Sequence, residues 1–338
     1  MTNRRTKSIL VIIAAVFAIY IGTHLKELER VIDTFAAGNW RWLLVAALAQ
    51  VAYFAMYSKM VQWAFRSVEI KRGIKELLPL ILGALFMNVL APTGGNSGTV
   101  LFADDAARRE ESSSKAVVGY MASTIVSYTA FSFVLIFAVV YLRVVGSLDV
   151  YEISGALLFI LPTVLPPVLL ILSVKNPDLT VRILGLVYRI VIKVQKTFKM
   201  RSRLQDDWSQ SISEELIESA ESIASHYGEL VKAVALALAA HVVSILSLIA
   251  VFLSFNIHLR YGAIIAGYAF AEVARVISPQ PEGVGAVEAI MLLIFTSFGV
   301  APISATAISM AFRGLNFWFP LLAGFFFLRK LESFKSSP

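Results

Sequence analysis

The chain has 338 residues, 58% of them hydrophobic and only 16% charged, with a formal net charge of +7 and no cysteine. Soluble domains carry about 25% charged residues; a mean hydropathy of +0.75, with apolar blocks as long as a bilayer crossing, points to a polytopic membrane protein. Without cysteine there are no disulfides, thiolate metal sites or cysteine nucleophiles. The histidines at 24, 226, 241 and 258 are too scattered for a metal cage, and the positive charge needs no nucleic acid, because Lys and Arg collect in the cytoplasmic loops of membrane proteins.

Taken in chain order, full-length apolar runs cover 8–25, 40–58, 116–141, 152–174, 231–254 and 301–328, which predicts six transmembrane helices. Two further apolar regions, 77–109 and 263–300, are broken in the middle by APTGGNSG and PQPEGVG. With both termini cytoplasmic, 23 Lys and Arg lie inside and 5 outside (Lys26, Arg30, Arg41, Arg143 and Arg260), while Arg275 and Arg313 fall at membrane depth. That bias agrees with the positive-inside rule. In this orientation 59–76 and 108–115 share the cytoplasmic side, and the region 261–300 returns to the outer side. Each broken region is therefore expected to be a re-entrant helical hairpin, one dipping from each face; two short crossings per region satisfy the same parity. Hairpins of opposite orientation are what an inverted repeat produces, and such broken helices mark binding sites in transporters. All of 1–338 is read as one integral membrane domain, all-α.

The segment 175–231 is expected to be a cytoplasmic amphipathic helical loop. Its first half is basic, with Ile183, Val187, Ile190, Val191, Val194 and Phe198 at helical spacing, and suits an anionic inner leaflet. Its acidic second half suits pairing with the first. Pro162, Pro166 and Pro167 predict a kink in the run 152–174.

No phosphate-binding loop, zincin motif or Ser/His/Asp triad is present, so no enzyme activity, cofactor or metal is expected. The chemistry-bearing residues are the charges inside apolar runs, which normally face a partner or a wet cavity. Arg313 sits midway along 301–328, with Asn316 and Pro320 on its face. It can meet a lipid phosphate or carboxylate in transit, or lock the last helix to the second hairpin through Glu288. In that hairpin Glu272 and Arg275 stand at i,i+3, able to neutralise each other. Glu282 lies in the turn, Gly283 and Gly285 permit close backbone approach, and a helix expected over 284–298 begins with anion-attracting N–H groups. Glu282 or Glu288 could also carry a coupling proton. The first hairpin offers Pro92, Thr93, Gly94, Gly95, Asn96, Ser97 and Gly98 as a hydrogen-bonding tip, with Arg108 and Arg109 as cytoplasmic anchors. His241 reads as a satisfied bundle histidine or a proton relay.

Three stretches, Asn88–Arg109, Pro279–Gly299 and AFRGLNFWFPLLAG at 311–324, resemble the flippase-like membrane domain of the lysylphosphatidylglycerol synthetase family. Asn88 and the Pro/Gly turn stand in the first motif; Pro281, Gly283, Gly285, Glu288, Arg313, Pro320 and Gly324 match the others, while Glu282 stands where glycine is usual. Family members that make lysyl-lipid carry a soluble aminoacyltransferase domain, which this chain lacks before Pro338. The resemblance therefore implies the lipid-translocating part alone, in the plasma (inner) membrane. The implied substrate is an anionic or headgroup-modified phospholipid, and a separate lipid-modifying synthase is the implied partner. Alternative readings are a secondary transporter of a small soluble anion, a membrane-embedded headgroup transferase, and a scaffold for such a synthase.

Overall fold

The computed structural model describes residues 25–90, 96–145, 227–278 and 280–328, with Gly22 and Arg182 besides; these residues form helices and turns, with no strand among them. The expected runs 8–25 and 152–174 and nearly all of the loop 175–231 lie outside the described residues. The helices are α1 Leu25–Ala37, α2 Trp40–Arg66, α3 Ile74–Leu90, α4 Asn96–Arg108, α5 Ser113–Val145, α6 Tyr227–Ser254, α7 Tyr261–Ile277, α8 Ala286–Ser297, α9 Pro302–Arg313 and α10 Phe319–Leu328. A single 3₁₀ turn, Pro281–Gly283, joins α7 to α8, and a π-helical turn, Gly314–Trp318, makes α9 and α10 one continuous run.

Four of these runs are long and apolar enough to cross a bilayer: Trp40–Arg66, Ser113–Val145, Gly228–Ser254 and Pro302–Leu328. They coincide with four of the six expected crossings. The first opens on an N-cap, the Asn39 side chain accepting the Arg41 N–H at 3.0 Å. The same start is tied to the end of the third, where the Asn39 N–H donates to the Ser254 carbonyl at 2.8 Å. Helix α1 was not anticipated. It alternates Lys26, Glu27, Glu29, Arg30 and Asp33 with apolar residues, and it lies beside α9, with the Phe35 and Phe319 rings edge to face at 6.1 Å.

Both broken regions are hairpins. At 1.5 Å per residue, α3 and α4 extend about 25 and 20 Å, and α7 and α8 about 25 and 18 Å, all short of a hydrocarbon core of about 30 Å. The mouth of the first hairpin is held by an ion network around the buried Arg72 and Asp105. Arg72 Nη1 meets Asp105 at 3.0 Å and its Nη2 meets Glu111 at 2.6 Å, while Arg109 reaches Asp105 at 2.8 Å and Glu76 at 3.1 Å. Arg109 is thus a structural pair as well as a basic residue near the surface. Residues 72–76 and 105–111 accordingly emerge side by side. In the second hairpin the arms touch: a Cβ on Gly267 would stand 2.2 Å from the Phe295 ring, so only hydrogen at that position admits the ring.

Two apolar cores result. One gathers α7 and α8 with Leu135 and Leu142 of α5, Leu248 and Phe252 of α6 and Ile308 of α9. The other gathers α3 and α4 with Phe65 of α2, Ala116 of α5, Ala233 and Ala237 of α6 and Leu321 of α10. Each hairpin is the centre of one core, and the four long runs pass from one core to the other. Lipid offers no hydrophobic drive between helices, so close approach and interhelical hydrogen bonds hold the bundle. Examples are Ser247 Oγ donating to the Ala46 carbonyl at 2.9 Å, and Gly324, whose Cβ would meet the Leu82 carbonyl at 2.3 Å.

Candidate functional site

The turn of the second hairpin is built from residues of left-handed backbone. Glu282, Gly283 and Gly285 have φ of 51°, 65° and 84°. A Cβ on Gly283 would stand 2.6 Å from the Arg275 Cα, so the turn folds tightly against α7. At Glu282 the backbone itself favours glycine, which gives a physical reason for glycine at that place in the family motif. The glutamate is held there by its carboxylate, which accepts from Arg275 Nη1 at 3.0 Å. Arg275 Nε donates in turn to Glu272 at 2.8 Å, so this guanidinium bridges two carboxylates.

Helix α8 begins at Ala286, two residues later than the expected 284, with Gly285 at its N-cap. Glu288, at the third helical position, caps it: one carboxylate oxygen accepts the Gly285 N–H at 2.7 Å. The anion at this helix start is therefore the chain's own glutamate. The other oxygen accepts from Arg313 Nε at 2.7 Å, while Arg313 Nη2 donates to the Glu282 carbonyl at 3.1 Å. Arg313 is 1% exposed, and its guanidinium lies 4.2 Å from the centre of the Phe317 ring. The π-helical turn begins at the next residue, a local widening of the helix of the kind often found at functional sites.

In the first hairpin Asn88 joins the arms below the tip. Its Oδ1 accepts from Ser97 Oγ at 2.9 Å and from the Gly98 N–H at 2.8 Å. A Cβ on Gly98 would meet the Tyr120 hydroxyl at 2.9 Å. Pro92, Gly94 and Gly95 lie outside the described residues, and Asn96 starts α4.

Between the two cores lies a cavity of about 770 Å³, within the size range of small-molecule sites. Both hairpins line it, Asn88 from the first and Gln280, Pro281 and Glu282 from the second, with Arg313 and Asn316 from the last run. The sequence-derived residues Glu272 and Arg275 reach it too, whereas Gly283, Gly285 and Glu288 support the turn from behind. His241 lies on its wall, its Nδ1 2.8 Å from the Tyr268 hydroxyl. Five tyrosines complete the lining, Tyr53, Tyr57, Tyr120, Tyr128 and Tyr268, together with Gln50. Sequence reasoning passed over these. The signal was present as a polar stripe on otherwise apolar helices: Gln50, Tyr53 and Tyr57 at spacings of three and four, and Tyr120, Thr124 and Tyr128 at spacings of four.

The fold and cavity define a polytopic, all-α membrane protein with a polar cavity between two Pro/Gly-broken hairpins. Residues 7–324 match the family described as the lysylphosphatidylglycerol synthase TM region, and the chain belongs to that family. It is similar to a UPF0104 membrane protein of Methanocaldococcus jannaschii, 25% identical over 333 residues, which are 96% of this chain and 95% of that protein. A UPF0104 membrane protein of Methanothermobacter thermautotrophicus is 26% identical over 195 residues, 52% of this chain and 57% of that protein.

Proposed function

We propose that the protein is a lipid translocase, moving a phospholipid or headgroup-modified lipid between leaflets with the headgroup in the cavity and the acyl tails in the bilayer. The observation that carries this reading is the placement of a polar cavity where both hairpins and Arg313 converge. A charged headgroup pays heavily to enter hydrocarbon, and a polar path through the bundle lowers that cost without need of fuel. The headgroup phosphate competes with Glu288 for Arg313, and Asn316, Asn88 and the tip 92–98 supply hydrogen bonds. Arg275, bridging Glu272 and Glu282, keeps the second turn closed. Gly283 and Gly285 permit the turn's close approach. In this reading the protein lies in the plasma membrane with both termini cytoplasmic, acts on anionic or modified phospholipids, serves a separate synthase, and is not itself an enzyme.

The test is reconstitution into liposomes containing fluorescent anionic and zwitterionic phospholipids, read by an impermeant quencher. Crossing faster than in empty liposomes, and lost in Arg313→Ala, is the expected result. No crossing of any lipid, with or without a pH gradient, overturns the reading in favour of a soluble-anion transporter or a scaffold.

A further inference from the structure

Away from the cavity, three cations crowd one tryptophan. Lys59, Trp63 and Arg66 follow one another at helical spacing near the end of α2, and Lys232 comes from the first turns of α6. The charges of Lys59, Arg66 and Lys232 lie 5.9, 4.4 and 4.6 Å from the centre of the Trp63 ring. No two of them can therefore stand further apart than roughly 10 Å, about one Debye length at 0.1 M salt, and they repel. None of the three makes an ion pair among the described residues: Glu69 is taken by Lys115, and Glu229, one turn before Lys232, does not reach it. The indole attracts each cation by about 0.5–1 kcal/mol but neutralises none. The cluster is nevertheless fixed in place. Lys59 Nζ donates to Gln62 Oε1 at 2.9 Å, and the buried Gln62 amide is anchored in turn on the Arg72 carbonyl, at the mouth of the first hairpin.

We infer that Lys59, Arg66 and Lys232 around Trp63 form a second lipid site, which holds a phospholipid of the adjoining leaflet by a doubly charged phosphate headgroup as a fixed ligand. None of the four residues lines the cavity, so the site stands apart from the translocase reading and does not depend on it. In the orientation proposed above it lies at the cytoplasmic end of α2. Tryptophan is enriched at that headgroup depth, and basic pockets between helices on that side take anionic headgroups. Three cations without a carboxylate match two negative charges better than one. A lipid fits better than a free phosphate, because exposed apolar residues continue from the cluster along both helices. These are Val51 and Leu48 on α2, and Val231 and Leu238 on α6; they give acyl chains a wall to lie against.

The test uses the full chain purified in detergent at about pH 8, the thermal midpoint giving an apparent affinity. The probes are dioctanoyl phosphatidic acid, phosphatidylglycerol and phosphatidylcholine, with inorganic phosphate beside them. At that pH the monoester of phosphatidic acid carries about two negative charges, phosphatidylglycerol carries one, and phosphatidylcholine has no net charge. Affinity should fall in that order, and inorganic phosphate at the same concentration should give no shift. Arg66→Gln and Lys232→Gln, both at exposed positions, should each weaken phosphatidic acid about fivefold, as about 1 kcal/mol per cation implies. The translocase reading puts lipid in the cavity as well, so the series is repeated in Arg313→Met/Glu288→Leu, where the order and its loss on neutralisation should persist. Phosphatidylcholine bound as tightly as phosphatidic acid, no weakening in either glutamine variant, or an equal shift with inorganic phosphate overturns the inference. So does a chain that answers to none of the lipids. If phosphatidic acid then binds once Asp206, Asp207, Glu214, Glu215, Glu218 and Glu221 are replaced by their amides, the cluster belongs to the chain's own acidic segment instead. Liposomes separate the two claims: absence of crossing overturns the translocase and leaves this site standing.

Discussion

Arg313 is tolerated inside an apolar run because Glu288 neutralises it, the Glu282 carbonyl accepts from it and Phe317 faces its plane. The same Glu288 caps α8, so one carboxylate fixes the helix start and the arginine together. Removing one partner of a buried pair strands the other, at a cost of about 3–5 kcal/mol, whereas replacing both by apolar residues is often neutral. Arg313→Ala should therefore lower the thermal midpoint in detergent strongly, and Arg313→Met/Glu288→Leu should recover most of it. The two roles of the arginine then part. If it meets the lipid, the double variant is stable and still fails to move lipid; if it only locks the helices, liposome crossing returns with stability. The pairing was legible in the sequence, because a lone arginine at that depth demands a carboxylate and the second hairpin supplies one. The capping role of Glu288 was not, since it depends on α8 starting at Ala286. Nor were the tyrosines: a phenol on a membrane helix reads as apolar until neighbouring helices place its hydroxyl on a cavity.

Among the elements, the two hairpins were readable from Pro and Gly interrupting apolar runs, and the positive-inside count required both to return to their starting side. What the sequence could not supply was the contact that fixes each hairpin to the long helices, because that depends on which glycine faces which neighbour. Gly324 is the clearest case. It lies on α10 against the backbone carbonyl of Leu82 on α3, where a Cβ would stand 2.3 Å away, and backbone cannot step aside as a side chain can. Gly324→Ala should force α10 off the first hairpin and cost about 1–3 kcal/mol, as overpacking does. Gly228→Ala, with nothing within 4 Å of the added Cβ, should be neutral or up to about 1 kcal/mol stabilising through helix propensity. Thermal unfolding of both variants in one detergent checks the contrast. Helix α1 escaped prediction for a different reason: its charges spread over the sequence as a solvated loop would, and only its placement beside α9 brings Phe35 against Phe319.

For the whole molecule, two cores, each centred on a hairpin, place the cavity between them. This is the arrangement expected if the hairpins dip from opposite faces, and it is open to a topological test because the chain has no cysteine of its own. Lys71→Cys and Ser114→Cys flank the first hairpin at exposed positions, and His258→Cys and Ser297→Cys flank the second. In sealed vesicles an impermeant maleimide should label the first pair from one side only and the second pair from the other. That result alone leaves two short crossings per region open, since the parity is the same. Gln280→Cys, on the second turn, decides between them. In a re-entrant hairpin the turn stays within the bundle and lines the cavity, so a polymer-linked maleimide too bulky for about 770 Å³ should fail to reach it from either side. Two full crossings would carry the turn through to the face of Lys71, and the Gln280 cysteine would then label as fast as the Lys71 one. Protected labelling at 280 with opposite-sided flanks would mean that a headgroup entering from one leaflet meets both turns before it meets the other leaflet, the geometry on which translocation through this cavity depends.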